Sequence, residues 1–447
     1  MDERQIESNT MNIVSWNING IRSLNNFKDI LDSLEADVIC LQETKITRDV
    51  IDANTAIVDG YNAFFSFSRK RSGYSGVATY CRKSITPFAA EEGLSNILQE
   101  KVENNTPVGY YGDLSHFPHE ELVSLDNEGR AIVTHHDFRT SSGVMKKLAV
   151  INVYCPRADP EKEDRKFFKM RFYELLQIRA EALQESGSHV IIVGDINTSH
   201  KVIDHCDPGD DEIPNILVKS SCIYFQEFLL NPGRKWLDNF LVELRRETSA
   251  PAKHETDNSK CDLYRNYSNE SNGKEIDSKE FVDTFRYFYP DKLNAFTCWQ
   301  TLTNARQTNY GTRLDYIFAD QELAKSFFQD SYILPDIEGS DHCPVKAELK
   351  CTPVSSNVCP CICSKFWPEF SGKQQKLMSF FSKCSEKHDN NEHRDSAADK
   401  NICCALCEES TIFCLHIDYC IVDFFRYGAI ANFTSEPPFS KMAAKMA

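Results

Sequence analysis

A layered α/β domain followed by a tail of different composition is the architecture the sequence predicts. Three observations lead to it. Short apolar runs each stop at a polar residue, helical patterns lie between those runs, and cysteine usage changes near residue 350. Strands interleaved with helices bury their apolar faces by stacking in layers. A chain of 447 residues exceeds one ordinary domain, and 41% hydrophobic with 26% charged residues matches a globular chain whose core needs no disulfides.

The strands can be taken in order. Met11 to Ser15 is a β-rich run ending at Trp16-Asn17, and Asp37 to Leu41 ends at Gln42-Glu43. Val77 to Cys81 alternates, Leu148 to Tyr154 is a continuous apolar run, His189 to Val193 ends at Gly194-Asp195, and Arg313 to Phe318 closes the set. Helical spacing of apolar residues appears over Phe27 to Leu34 and over Phe167 to Leu183. Residues 245–280, rich in Ser, Asn, Lys and Glu, read as a disordered insertion, and Asp204 to Pro214 as an exposed loop. The domain is expected over 11–350.

Eight cysteines lie in residues 1–350 and ten in 351–447, so the tail is Cys-rich and is expected to be largely disordered. The polar start Met1 to Thr10 is unlike a signal peptide and favours a reducing compartment. His416, Asp418 and Asp423 interrupt the most apolar stretch of the tail, Thr411 to Phe425, so no membrane partner is expected. Cys403, Cys404, Cys407, Cys414 and Cys420 do not form two separated pairs, and no zinc site is assigned to them. A net charge of −16 excludes binding of nucleic acid through bulk positive charge, but not through a local basic surface.

The chemistry lies at the strand ends, where open α/β sheets present side chains to ligands. Asn17, Asn19, Glu43, Tyr154, Asp195, Asn197, Asp315 and the pair Asp341-His342 form an oxygen-dominated set with one imidazole. Such a set suits Mg²⁺ or Mn²⁺ better than a structural zinc. Asp315 and His342 make a candidate acid/base dyad, because a carboxylate fixes the imidazole tautomer and stabilises its protonated form. Metal, acid/base pair and amide donors together indicate phosphodiester hydrolysis.

The strings SWNINGIR (15–22), LQETK (41–45), SGYSGVA (72–78), NVYCP (152–156), GDIN (194–197), NYGTRLDYI (309–317) and GSDHCP (339–344) occur in the order seen in exonuclease III type AP endonucleases. The chain therefore resembles the endonuclease/exonuclease/phosphatase superfamily over about its first 350 residues. The resemblance implies a four-layered α/β sandwich, two packed β-sheets flanked by helices. It also implies a Mg²⁺- or Mn²⁺-dependent DNA repair nuclease acting in base excision repair as 3′ to 5′ exonuclease, 3′-phosphodiesterase and AP-site endonuclease. Its substrate would be double-stranded DNA with abasic sites or damaged or mismatched 3′ ends. A nuclear, monomeric protein follows, with mitochondria as a second location. Another superfamily phosphodiesterase, or a clamp-bound adaptor using the nuclease fold as scaffold, is the alternative.

Carried over residue by residue, Glu43 and Asp341 look like metal ligands, with Asn17, Asn197, Asp195 and His342 completing the set. Asp195 would be the acid/base group, His342 oriented by Asp315 would contact the scissile phosphate, and Tyr154 and Asn197 would stabilise charge on it. Many relatives carry Asp at Asn19. Bulky aromatics of the principal AP endonuclease type are replaced here by Cys298 and Thr312, which implies a looser pocket and a preference for 3′ ends over abasic sites. Arg69, Lys70, Arg71, Arg157 and Trp299 are expected to contact DNA. Gln374, Leu377, Phe380 and Phe381 form Q-x-x-L-x-x-F-F within 374–381, similar to the motif that binds the sliding clamp PCNA.

Overall fold

The computed structural model describes residues 9–99, 107–158, 161–206, 228–246 and 280–371. All of them fall within one compact unit, Met1–Gln374. The clamp-like motif at 374–381, the tail cysteines beyond it and nearly all of the insertion expected over 245–280 lie outside the described residues.

In chain order the strands are β1 (Met11–Asn17), β2 (Val38–Gln42), β3 (Tyr61–Ser66), β4 (Val77–Arg82), β5 (Ala89–Glu92), β6 (Ala131–Arg139), β7 (Met145–Tyr154) and β8 (His189–Asp195). There follow β9 (Phe281–Asp283), β10 (Cys298–Trp299), β11 (Gly311–Thr312), β12 (Asp315–Asp320), β13 (Phe328–Ile333), β14 (Val345–Leu349) and β15 (Thr352–Val354). The helices are α1 (Phe27–Ser33), α2 (Ala53–Ala56), α3 (His119–Asp126), α4 (Glu163–Glu185), α5 (Pro232–Phe240), α6 (Thr284–Phe288) and α7 (Gln321–Ser326).

Two mixed sheets result. One has the order β13-β14-β1-β2-β4-β3; the other has β15-β6-β7-β8-β12-β9, with β5 added on β6. Side-chain alternation explains how they stack. Along β8, Ile191 and Val193 join Ile13, Val38, Cys40 and Phe64 of the first sheet in the core between the sheets. Val190 and Ile192 point the other way, into a core shared with Phe172, Leu176 and Leu183 of α4 and with Trp236 and Phe240 of α5. On the far side, Val14, Trp16, Ile39 and Leu41 pack against Phe27 and Leu31 of α1. The order helix, sheet, sheet, helix is the four-layered sandwich.

Helix α4 forms because 23 residues free of Gly and Pro carry Glu163 and Asp164 in the first turn and bury one face: Lys169, Phe172, Tyr173, Leu176, Arg179 and Leu183. It stops at Ser186 ahead of Gly187, whose φ of 86° only glycine adopts easily.

The cysteine content changes at residue 350, yet packing continues to Phe370. Cys363 enters the core between the sheets. Trp367 packs on Phe65 and Phe67 at 5.5 and 5.8 Å between ring centroids, with the Arg48 guanidinium 4.6 Å from its own ring and Glu369 paired to Arg48. The reading of Asp204–Pro214 as an exposed loop fails at its first residue, since Asp204 is fully buried. Among the described residues no helix is long and apolar enough to cross a membrane.

Candidate active site

Strand register gathers the polar residues at one edge. In the parallel pair β1–β2, Asn17 lies beside Gln42, so Asn17 and the next residue, Glu43, leave the sheet together. Parallel β7 and β8 place Tyr154 beside Asp195, and antiparallel β12 places Asp315 opposite Asp195. Strand β14 begins at Val345 opposite Ser15, which brings the preceding Asp341-His342 loop to the same edge. Asn17 ties the two sheets, its Nδ2 donating to Glu43 Oε1 at 3.0 Å and to Asp195 Oδ2 at 2.8 Å.

The turn after β8 has its own requirements. At Gly194, with φ of 144°, a Cβ would sit 1.8 Å from the Val153 carbonyl oxygen, so no side chain fits there. Asn197 is left-handed, with φ of 57°. That conformation lets its backbone N–H donate to Asp195 Oδ1 at 2.8 Å while its Nδ2 donates to the Cys155 carbonyl at 2.9 Å.

Asp195, Asp315 and His342 present ligand atoms within 4.8 Å of one another, all buried. His342 Nδ1 lies 2.7 Å from Asp315 Oδ2, whereas Asp315 Oδ1 is buried without a hydrogen-bond partner among the described residues. Burial pushes the Asp195 carboxyl up to about 7; His342 opposes this, and the charges of Asp315 and Glu43 add to it. Burial alone would lower His342, yet its pairing with Asp315 outweighs that and raises it well above the usual imidazole range. Glu43 moves the other way: hydrogen bonds from Asn17, Lys45 and Tyr154 overcome the effect of burial and hold it below the usual carboxylate range. Crowded carboxylates with an orphaned oxygen are a donor set a hard divalent cation fits. Asp341 lies outside this trio, half-buried, accepting from Ser340 Oγ at 3.1 Å.

Tyr154 borders a cleft of about 850 Å³ that Lys70, Arg71, Arg130, Arg157 and Arg165 also line. Of the expected DNA contacts, the structure thus brings Lys70, Arg71 and Arg157 together. Arg69 instead forms a two-pronged pair with Glu92, and Trp299 is 4% exposed, its indole N–H donating to Asn309 Oδ1 at 3.0 Å. Cys298 pairs with Thr312 in the β10–β11 ribbon on one side and bridges to His342 on the other, so Cys298 lies beside the imidazole and Thr312 one strand further away.

Sequence reasoning missed Arg130, which holds the Tyr154 carbonyl at 2.9 Å and lies 4.8 Å from its ring centroid. Its only signal was a cation at the mouth of an apolar strand. Buried Glu128 anchors it, accepting from Arg130 Nε at 2.7 Å and from Arg165 at 2.8 Å. Burial opposes ionisation of Glu128, but Arg165 and Arg130 prevail and take it down to about 2 from 4.5. A depressed carboxyl stabilises the fold above its unfolded value and loses that contribution as pH falls through its folded value. The urea midpoint of the protein should therefore fall between pH 4.5 and 2. Glu128→Gln should flatten that part of the profile, and an unchanged slope would refute the assignment.

The chain belongs to the endonuclease/exonuclease/phosphatase family, whose model matches residues 14–342. It is 52% identical over 374 residues to DNA-(apurinic or apyrimidinic site) endonuclease 2 of Xenopus laevis, and 46% identical over 384 residues to the human protein of that name. Each match covers 83% of this chain and 66% of the relative, so the chain spans slightly less than two thirds of their length. The crystal structure of the Xenopus laevis APE2 catalytic domain matches with a TM-score of 0.67 at 51% identity, over 82% of this chain and 100% of that domain.

Proposed function

We propose that the chain is a Mg²⁺- or Mn²⁺-dependent DNA repair nuclease of the nucleus. It trims 3′ ends as exonuclease and phosphodiesterase, cleaves at abasic sites, and is recruited to a sliding clamp through residues 374–381. The observation that carries the reading is the buried Asp195–Asp315–His342 cluster, joined to Glu43 through Asn17. Similarity to the relatives above supplies the substrate class.

When bound, the cation polarises a phosphoryl oxygen and offsets charge that develops there. Glu43, Asp195 and the free oxygen of Asp315 are the anionic groups able to hold it, with Asn17 and Asp341 adjoining. The chain's own residues do the rest. Asp195, with its raised pKa, takes the proton of the attacking water as the P–O3′ bond breaks, and the departing 3′ oxygen takes a proton from solvent to leave a 3′-hydroxyl. His342, kept charged by Asp315, donates to a phosphate oxygen. Burial and the charges of Glu43 and Asp195 hold the Tyr154 hydroxyl far above its usual range, so it stays a donor at neutral pH.

Cleavage of matched, mismatched 3′ and abasic duplexes with EDTA, Mg²⁺ or Mn²⁺ tests this. Activity should vanish in EDTA, return with either cation, and be faster at a recessed or mismatched 3′ end than at an abasic site. Metal-independent cleavage, or none, would overturn the reading, and faster abasic incision would reverse the ranking of activities.

A further inference from the structure

Lysine is seldom buried without a carboxylate partner, because the ammonium loses its hydration. Lys169 of α4 is 7% exposed, and its partner is a carbonyl: Nζ donates to the Asn197 oxygen at 2.7 Å. One turn later on the same helix face, the Tyr173 hydroxyl donates to the Ile196 carbonyl at 2.6 Å and lies 2.9 Å from Thr198 Oγ1. Two side chains of α4 thus grip three consecutive residues, 196 to 198, directly after Asp195. Tyr173 is itself fixed by stacking on Trp236 at 4.3 Å. The gripped turn contains the left-handed Asn197, whose N–H and Nδ2 both donate to Asp195, at 2.8 and 3.2 Å.

We propose that Lys169, acting with Tyr173, is a positioning residue for the reaction: it holds the Asn197 turn so that Asp195 stays aimed at the attacking water. The inference rests on the proposed nuclease activity. It explains why a costly buried cation sits behind the Asn197 turn. Without that grip Asn197 can relax toward right-handed backbone, which non-glycine residues prefer, and its two donors then leave Asp195. Misaiming Asp195 acts on the rate of the bound complex more than on substrate affinity.

The test compares wild type, Lys169→Met and Lys169→Arg on a 3′-recessed duplex at saturating Mg²⁺, with a thermal melt of each. Lys169→Met should lower kcat by about 10- to 100-fold, with KM changed far less. Its melting temperature should hold or rise, since a thioether of similar length fills the space without a buried charge. Lys169→Arg can still donate to the Asn197 carbonyl and should recover most of the rate. A merely structural lysine predicts the opposite pattern, a lower melting temperature with kcat kept. That result, or a kcat loss that Lys169→Arg does not relieve, overturns the positioning role. If wild type cleaves no DNA, the proposed function falls and this inference with it; active wild type beside equally active Lys169→Met overturns the inference alone.

Discussion

Replacing Asp195 by Asn is expected to lower kcat by about 10²- to 10⁴-fold, the range for loss of a general acid or base. The fold should survive. Burial makes ionised Asp195 costly, which is why its pKa stands near 7, and a neutral isostere avoids that cost. Against this, three N–H donors from Asn17 and Asn197 converge on the carboxylate. Asparagine has one acceptor oxygen for them, and a buried donor left unpaired costs about 1–3 kcal/mol. The opposing effects leave the melting temperature within a few degrees of wild type. Steady-state cleavage of a 3′-recessed duplex beside a thermal melt checks both halves. Retained kcat would remove Asp195 from the mechanism.

The largest expected effect on stability lies close by in sequence. Asp204 accepts from Arg313 Nε at 2.8 Å and from Arg286, and Asp283 accepts from Arg313 Nη2 at 2.5 Å. Burial disfavours the Asp204 charge, yet Arg286 and Arg313 hold its carboxyl well below the usual range. Asp204→Ala leaves buried Arg313 with Asp283 and buried Arg286 with no carboxylate, only the Tyr289 and Lys292 carbonyls. Breaking a buried ion network in this way costs about 3–5 kcal/mol. A lower urea midpoint is the expected result, with activity reduced as well, because Arg313 leads directly into the strand that carries Asp315. An unchanged midpoint would mean the network contributes little to the fold.

Sequence alone reached the strands whose ends carry function. Asn17, Glu43, Tyr154 and Asp195 each follow an apolar run, and a run of that kind specifies both its strand and the polar residue that ends it. Strands such as β3 escaped notice because YNAFFS is buried at all six positions and shows no alternation. Asp204 looked solvated because it precedes Pro and Gly residues. Its burial is decided by Arg286 and Arg313, 82 and 109 residues further along, which no local pattern reports. Lys169 was hidden for a related reason: a lysine on an amphipathic helix reads as solvent-facing until the turn it holds is known.

Strand β1 lies between β2 and β14, so the start of the domain is walled in by its end. The Trp16 indole donates to the His342 carbonyl across 326 positions of sequence, and Asn17 reaches Asp195 across 178. Closing loops of that length is entropically costly until the final strands are present to repay it. During synthesis the residues of the centre therefore emerge one by one without forming it. A chain halted anywhere before β14 has an open sheet edge beside Asn17 and no assembled centre. On the proposed reading, premature termination yields fragments unable to cut DNA.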